Sequence, residues 1–228
     1  MALLFTPLKM GAQTLPNRIC VPPMCCCLAR EGVGSDELIA HYEKLAASGA
    51  GLVVIEATAV RADGRITTRC LGLYNDEQER FFKRLLKACR AVAPAETKFF
   101  LQLSHCGRKG SRKDPKTGHG TLLPEEGGFA LMAPSAVAYT PQAPMPREMT
   151  EADIDRMLQA FEAAAHRAAR VGFDGIQIHA AHGYLVHQFL SPVTNRRTDN
   201  WGGSLQNRQR FALEVVKAVQ RGAPEIDV

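Results

Sequence analysis

The sequence predicts an α/β fold made of repeated βα units, and three observations support this. Four short apolar runs are typical of buried parallel strands, at residues 18–22, 52–57, 99–103 and 175–179. Helical patterns lie between these runs, as βα units require. A doubly wound sheet would also accommodate four units, but no G-x-G-x-x-G turn follows the first strand, and the glycines within residues 49–51 precede a strand. We therefore favour a βα barrel.

The first two helices are indicated by apolar residues at three- and four-residue spacing. Residues 36–47 form the first, and glycines close it before the second strand. The second begins at Asp76, where Glu79 would complete a capping box, and Pro94 ends it. These helices would connect the first strand to the second and the second to the third.

The third and fourth helices lie in the second half of the chain. Thr150 with Asp153 begins the third helix, which carries a long apolar stripe and stops at Gly172. The fourth covers about residues 204–220, and a fifth strand should begin at residues 225–228. We therefore count four βα units and the start of another strand.

One connection is far longer than the ~4 to 6 residues that ordinary loops have. It covers about residues 104–149, is rich in Gly, Pro, Lys and Thr, and follows a strand. In a βα barrel, the loops after the strands gather on the face where active sites form. We treat residues 1–228 as one barrel domain with this long inserted loop, which is either functional or disordered.

Composition indicates a soluble globular protein. The chain has 228 residues, of which 46% are hydrophobic and 22% charged. No apolar run reaches the ~18 residues of a membrane span, and the first ten residues do not resemble a signal peptide. We expect a cytoplasmic protein with neither a membrane nor a nucleic-acid partner.

The cysteines and the basic residues also limit the possible functions. Seven cysteines, three of them consecutive at residues 25–27, do not form a small disulfide framework, so we expect reduced thiols. The net charge is +5, and the densest basic cluster lies at residues 108–116. That cluster would face a phosphate or anionic substrate, or it is only a solvated loop.

Polar residues at strand ends are the first site candidates, because these ends open into the site of such a fold. Pro23, Met24 and Cys25 follow the first strand and would form an apolar wall with a thiol at its edge; the alternative is a plain strand end. Gln102 lies within an apolar strand, where a buried amide needs partners and offers a donor and an acceptor to a heterocycle.

His179, His182 and Tyr184 form the strongest polar constellation, at the end of the fourth strand. A metal site is one interpretation, but H-x-x-H lacks a third ligand, since Glu56 lies on another strand. A buried histidine pair satisfied by backbone is another. We favour the third, in which both imidazoles donate hydrogen bonds to a substrate carbonyl oxygen and the tyrosine delivers a proton. No metal is expected.

Many short motifs together resemble the Old Yellow Enzyme family, and they extend over essentially the whole chain. The order and spacing of so many motifs make a chance match implausible. The motifs are LFTP at residues 4–7, NRI at 17–19, PMC at 23–25, QLSHCGR at 102–108, APS at 133–135, GFDG at 172–175, HAAHGYL at 179–185, FLSP at 189–192, RTD at 197–199 and GGS at 202–204.

The resemblance implies a (β/α)8 TIM barrel that binds FMN, takes hydride from NADH or NADPH, and reduces an activated carbon–carbon double bond in a small-molecule enoate, enone or dienoyl thioester. It also implies roles for individual residues. Tyr184 would protonate the substrate. Cys25 resembles the branch of the family that has a thiol at this position, and Cys27 departs from the tyrosine common in that branch. The flavin would contact Pro23, Met24, Cys25, Ala57, Gln102 and His182, and the substrate carbonyl would contact His179 and His182.

The inserted loop also resembles that of longer family members, which add an iron–sulfur cluster and a second flavin domain; we expect these groups only in a longer natural chain.

A full barrel takes ~250 residues, so we expect a barrel truncated after about four βα units. It would lack two features that the resemblance implies, an arginine on the fifth strand beneath the flavin and the phosphate-binding loops after strands seven and eight. Two other functions remain open, and association with another chain is also possible from the sequence. The chain could be an inactive half-barrel or binding module that needs the missing strands. It could associate through open sheet edges, or form a homo-oligomer. A non-flavin barrel enzyme would need a Schiff-base lysine or carboxylate base at a strand end, and neither is clearly placed.

Overall fold

The computed structural model describes residues 2–228 and has a four-stranded parallel sheet at its centre. In chain order the strands are β1 (Leu8–Met10), β2 (Gln13–Leu15), β3 (Cys20–Val21), β4 (Ala29–Arg30), β5 (Val33–Gly34), β6 (Leu52–Ala59), β7 (Lys98–Ser104), β8 (Met132–Ala133), β9 (Arg147–Glu148) and β10 (Gly175–Ile178). The helices are α1 (Asp36–Ala46), α2 (Asp76–Val92), α3 (Glu151–Val171), α4 (Leu185–Leu190) and α5 (Leu205–Gly222).

The order of the central strands confirms the predicted βα repeat. Across the sheet the order is β3, β6, β7 and β10, which is also their order along the chain. All three pairings are parallel, with Val53 opposite Phe99 and Ile176 opposite Leu101. A doubly wound sheet reverses its strand order at a switch point. No reversal occurs among the four strands here, so they form an arc of the kind that closes into a barrel.

The two faces of the sheet are covered differently. Alternate strand residues point to opposite faces, so Ile55 and Leu101 pack with Phe82 and Phe161 of the helices in the main core. On the other face, a smaller buried cluster contains Leu15, Leu52, Val54 and Phe100 and packs against Leu8 and Met10 of the β1–β2 hairpin. Helices on one face only are the arrangement of a barrel wall, whose outer ring is helical.

The helix ends agree with the predictions made from capping residues, except at the start of α2. The side chains and backbone of Thr150 and Asp153 form the predicted capping box, and Gly172 ends α3 in the left-handed conformation with φ 97°. The prediction of a capping box at Asp76 and Glu79 was wrong. Asn75 caps α2 by accepting from the backbone N–H of Gln78, and Glu79 instead pairs with Arg167.

The strands differ from the predicted ones mainly at the edges of the sheet. The first strand, predicted at residues 18–22, is reduced to the two residues of β3, and the hairpins β1–β2 and β4–β5 were not predicted. Near the other edge, Ile176 N–H donates to Asp227 O at 2.8 Å, so the pairing expected of residues 225–228 begins there.

The long connection between β7 and α3 is held to the rest of the fold by specific contacts. Two-residue strands β8 and β9 pair in parallel within it. The buried Arg197 donates from Nη1 to Pro134 O at 3.0 Å and to Met149 O at 2.6 Å, and Ser135 Oγ accepts from Arg196 N–H. Among residues 2–228, no helix is both long and apolar enough to cross a membrane.

Candidate active site

The carboxyl ends of the parallel strands open into a cavity of ≈ 470 Å³. All predicted site residues line it except Met24, whose side chain is 59% exposed beside it. Loops after parallel strands meet at one edge of the sheet, which explains why residues far apart in the chain converge here. The lining residues are Pro22, Pro23, Cys25, Ala57, Ile66, Gln102, Gln177, His179, His182 and Tyr184.

Two amide side chains lie together on the cavity floor. Gln102 of β7 and Gln177 of β10 are opposite each other in the parallel register. Gln102 Nε2 donates to Gln177 Oε1 at 2.7 Å, and Gln102 is 8% exposed. The pair therefore holds both amides in fixed orientations and leaves Gln102 Oε1 and Gln177 Nε2 for a polar heterocycle.

The two imidazoles and the phenol form a compact group beyond β10. His182 (φ 56°) and Gly183 (φ 72°) are both left-handed, which turns the chain back sharply after the strand. The ring of His179 lies edge-on to those of His182 and Tyr184, with centroids 5.1 and 4.8 Å apart. His179 Nδ1 accepts from Ala181 N–H at 3.3 Å, so its proton is on Nε2.

Burial sets the protonation states in this group. It lowers the pKa of His179 to about 4, and the nearby His182 and Lys109 act in the same direction. It also raises the pKa of the Tyr184 hydroxyl to about 12. At neutral pH, His179 is therefore an uncharged hydrogen-bond donor and Tyr184 keeps its proton.

Lys109 connects this group to the long loop after β7. Its Nζ donates to His182 O at 2.8 Å and lies 5.1 Å from the centroid of the Tyr184 ring. The same Nζ lies 4.9 Å from the ring centroid of Tyr139. A positive charge is therefore fixed at the mouth of the cavity.

Gln188 supports the turn from behind. This fully buried residue of α4 donates from Nε2 to Gly183 O at 2.7 Å and to Cys106 O at 3.2 Å. Its Oε1 accepts from Arg108 N–H at 3.2 Å. One amide therefore ties the His182–Gly183 turn to the turn that follows β7.

A buried carboxyl group supports the loop after β3. Glu56 Oε2 accepts from Cys26 N–H at 3.0 Å and from the Tyr42 hydroxyl at 3.4 Å. Within the described part of the chain, Glu56 Oε1 has no hydrogen-bond partner, and burial raises the pKa of this carboxyl group. The loop that carries Pro23 and Cys25 is thus anchored to the strand that carries Ala57.

Two residues that shape the cavity were not predicted from the sequence. Gln177 repeats the signal that identified Gln102, a polar side chain in an apolar strand, and it precedes His179 by one strand period. Gln188 gave only the weaker signal of an amide within an apolar helix. In the described residues no group of three His, Cys, Asp or Glu side chains is arranged to hold a metal ion.

The chain matches one protein family over almost its whole length. Residues 3–225 match the sequence profile of the NADH:flavin oxidoreductase / NADH oxidase family. The NADPH dehydrogenase of Listeria welshimeri is 43% identical over 222 residues, which cover 96% of this chain and 60% of that protein. The chain therefore spans about 60% of the length of such relatives.

Solved structures show the same similarity in three dimensions. Morphinone reductase superposes with a TM-score of 0.84 at 34% identity, covering 98% of this chain and 60% of that one. The Old Yellow Enzyme from Pichia sp. superposes with a TM-score of 0.84 at 29% identity, covering 97% of this chain and 57% of that one.

Proposed function

Because the chain belongs to the NADH:flavin oxidoreductase / NADH oxidase family, we propose that the protein is an FMN-dependent oxidoreductase. It passes hydride from NADH or NADPH to an activated carbon–carbon double bond of a small molecule such as an enoate, an enone or a dienoyl thioester. The observation that carries the proposal is one cavity that joins an amide pair, an uncharged imidazole and a protonated phenol.

Membership of this family confirms two of the predictions made from the sequence. The resemblance to the Old Yellow Enzyme family is confirmed, and so is the fold class, a flavin-reductase barrel of which these residues supply four parallel strands. The roles of the individual site residues remain predictions.

The cavity lining fits a flavin ring. Gln102 and Gln177 offer an acceptor and a donor to the polar pyrimidine portion, and the small Ala57 leaves room beside them. Pro23 and Cys25 supply an apolar edge on the opposite loop. Met24, which lies outside the lining, would reach the ring only by moving its exposed side chain.

The chemistry divides between the cofactor and the side chains. When bound, FMN supplies reversible hydride transfer. His179 and His182 bind the substrate carbonyl oxygen and stabilise the negative charge that develops on it, because an N–H group already held in place costs little reorganisation. Tyr184 holds a proton at neutral pH and donates it to the carbon opposite the one that receives hydride.

Flavin titration of the 228-residue chain tests the proposal. FMN and riboflavin should both bind saturably, as followed by flavin absorbance and fluorescence. Gln102→Leu should weaken both by about tenfold, because it removes the amide that contacts the ring. Gln159→Leu, at an exposed position of α3, is the matched control and should change neither.

Two results would contradict the proposal or replace it. Absence of saturable FMN binding, or binding that Gln102→Leu leaves unchanged, would show that flavin does not bind in this cavity. FMN binding without any oxidation of NADH or NADPH would instead support a flavin-binding module that lacks catalysis.

A further inference from the structure

Three basic side chains surround one exposed aromatic ring beside the cavity. Arg108, Lys109 and Arg112 lie 6.0, 4.9 and 5.9 Å from the centroid of the Tyr139 ring, measured from Cζ or Nζ. We call these three residues the cationic rim. Because Lys109 also contacts Tyr184 and His182 O, the rim is continuous with the cavity.

The charge of the rim is not neutralised by carboxylates. Elsewhere in the fold most arginines near the surface pair with Asp or Glu, as Arg221 does with Glu162 at 2.8 Å. Within residues 2–228, no rim residue has a carboxylate oxygen within 4.0 Å. Three acidic residues of the same loop pair with basic residues outside the rim, Asp114 with Arg69, Glu126 with Lys113 and Glu148 with Arg197.

One rim residue also has an unused buried donor. Arg108 Nη1 donates to Val137 O and Ala138 O, but its Nε is buried and has no partner among the described residues. Three like charges around one ring repel each other, and an unpaired buried N–H is unfavourable. An oxyanion with more than one charge would relieve the repulsion between the rim residues, and arginine forks match the geometry of phosphate oxygens.

We propose that the cationic rim binds the phosphate group on the ribose of an adenosine nucleotide. Two ligands of the site carry such a group: NADPH, which has a 2′-phosphate, and a coenzyme A thioester, which has a 3′-phosphate. The proposal rests on the proposed function in supposing that a nucleotide enters this cavity. It adds that the long loop after β7 selects the phosphorylated nucleotide.

Equilibrium binding of small probes separates the possibilities. Adenosine 2′,5′-bisphosphate, adenosine 3′,5′-bisphosphate and adenosine 5′-monophosphate are titrated into the 228-residue protein by calorimetry at low and moderate salt. One bisphosphate should bind at least tenfold more tightly than the monophosphate, and salt should weaken its binding. Preference for the 2′ isomer identifies NADPH, and preference for the 3′ isomer identifies a coenzyme A thioester.

Arg112→Glu tests the residue assignment, because the Arg112 side chain makes no hydrogen bond to any described residue that the fold would lose. It should weaken bisphosphate binding by about tenfold or more. Lys116→Glu makes the same change of charge on an exposed residue of the same loop and should have a much smaller effect.

Equal binding of all three probes, or equal loss in the two variants, would overturn the proposal, as would no measurable binding of either bisphosphate. FMN titration of the same samples keeps the two proposals apart. Bisphosphate binding without FMN binding would reject only the proposed function, and the reverse would reject only the role of the rim.

Discussion

The Tyr184 hydroxyl can be tested without removing the ring that packs beside His179. Tyr184→Phe keeps that contact, whose centroids lie 4.8 Å apart, and deletes the proton donor. Reduction of an alkene substrate should slow by ~10² or more, and oxidation of NADH or NADPH by the flavin should stay nearly unchanged. Stopped-flow measurement of the two half-reactions separates them. Equal losses in both would indicate a structural role.

His179 makes stability depend on pH in a definite direction. Its pKa is lowered to about 4 in the folded protein, against ~6.5 in an unfolded chain. Between these values the unfolded chain binds the proton and the folded chain does not, so the stability present above pH ~6.5 is lost as the pH falls towards 4. We expect His179→Asn, whose Oδ1 can replace Nδ1 as an acceptor, to lose less unfolding free energy than wild type between pH 7 and 5.

The measurement is urea unfolding at several pH values, with His166→Asn as the control at an exposed position of α3. The control should lose stability on acidification much as wild type does. A His179→Asn variant with the same pH slope as wild type would show that this imidazole is not held neutral by the fold.

Single residues were predictable where one strand or one turn carries the signal. Gln102 was identified because a polar residue in an apolar strand needs a partner, but that partner, Gln177, is fixed by the register between β7 and β10. The register depends on the whole sheet, so the pair could not be predicted from either strand alone. Met24 was predicted to contact the flavin, yet its side chain is exposed outside the cavity lining, because the loop after β3 is irregular.

At the scale of elements, α4 and the turn before it depend on the buried amide of Gln188. Gln188→Ala removes three hydrogen bonds and leaves the backbone groups of Gly183, Cys106 and Arg108 without those partners. We expect the free energy of unfolding to fall by about 3 kcal/mol. Thermal or urea unfolding measures it.

The control for this prediction is Gln159→Ala, which makes the same change at an exposed position of α3 and should alter stability by less than ~0.5 kcal/mol. If the two variants were equally stable, Gln188 would not be holding the turn. If Gln188→Ala were folded but bound bisphosphates normally, its effect would be confined to α4.

Helix ends and interior strands were the most predictable elements. The capping box of α3 and its glycine stop are encoded within a few residues, so they were predicted correctly. The edge strand β3 was overestimated, because its length depends on pairing with one neighbour only. The ordering of the long loop was not predictable, since Arg197, which binds the loop at Pro134, lies 63 residues further along the chain.

For the whole molecule, the outer strands of the sheet favour self-association. Within residues 2–228, β3 and β10 are the edges of the sheet, and edge strands present backbone groups that can pair with another copy. We expect the 228-residue polypeptide to associate as its concentration rises, as measured by sedimentation velocity. Cys20→Lys, at an exposed position of β3, should reduce this association.

Leu213→Lys is the comparison, because it places the same charge on an exposed apolar position of α5. If it reduced association as much as Cys20→Lys, the contact would lie on the helical face and not at the sheet edge. A monomer at every concentration would contradict the prediction altogether.

The parallel pairing also sets the order in which the cavity can form during folding. Gln102 and Gln177 are 75 residues apart in the chain, and the hydrogen bond between Thr97 and Ala50 at the start of the sheet joins residues 47 apart. Closing such long loops costs conformational entropy before any stabilising contact forms. Sheets whose strands are far apart in the chain therefore fold slowly. The capped helices α2 and α3 can form early from local sequence. We therefore expect a nascent chain to acquire helix before it acquires the amide pair on which the cavity depends.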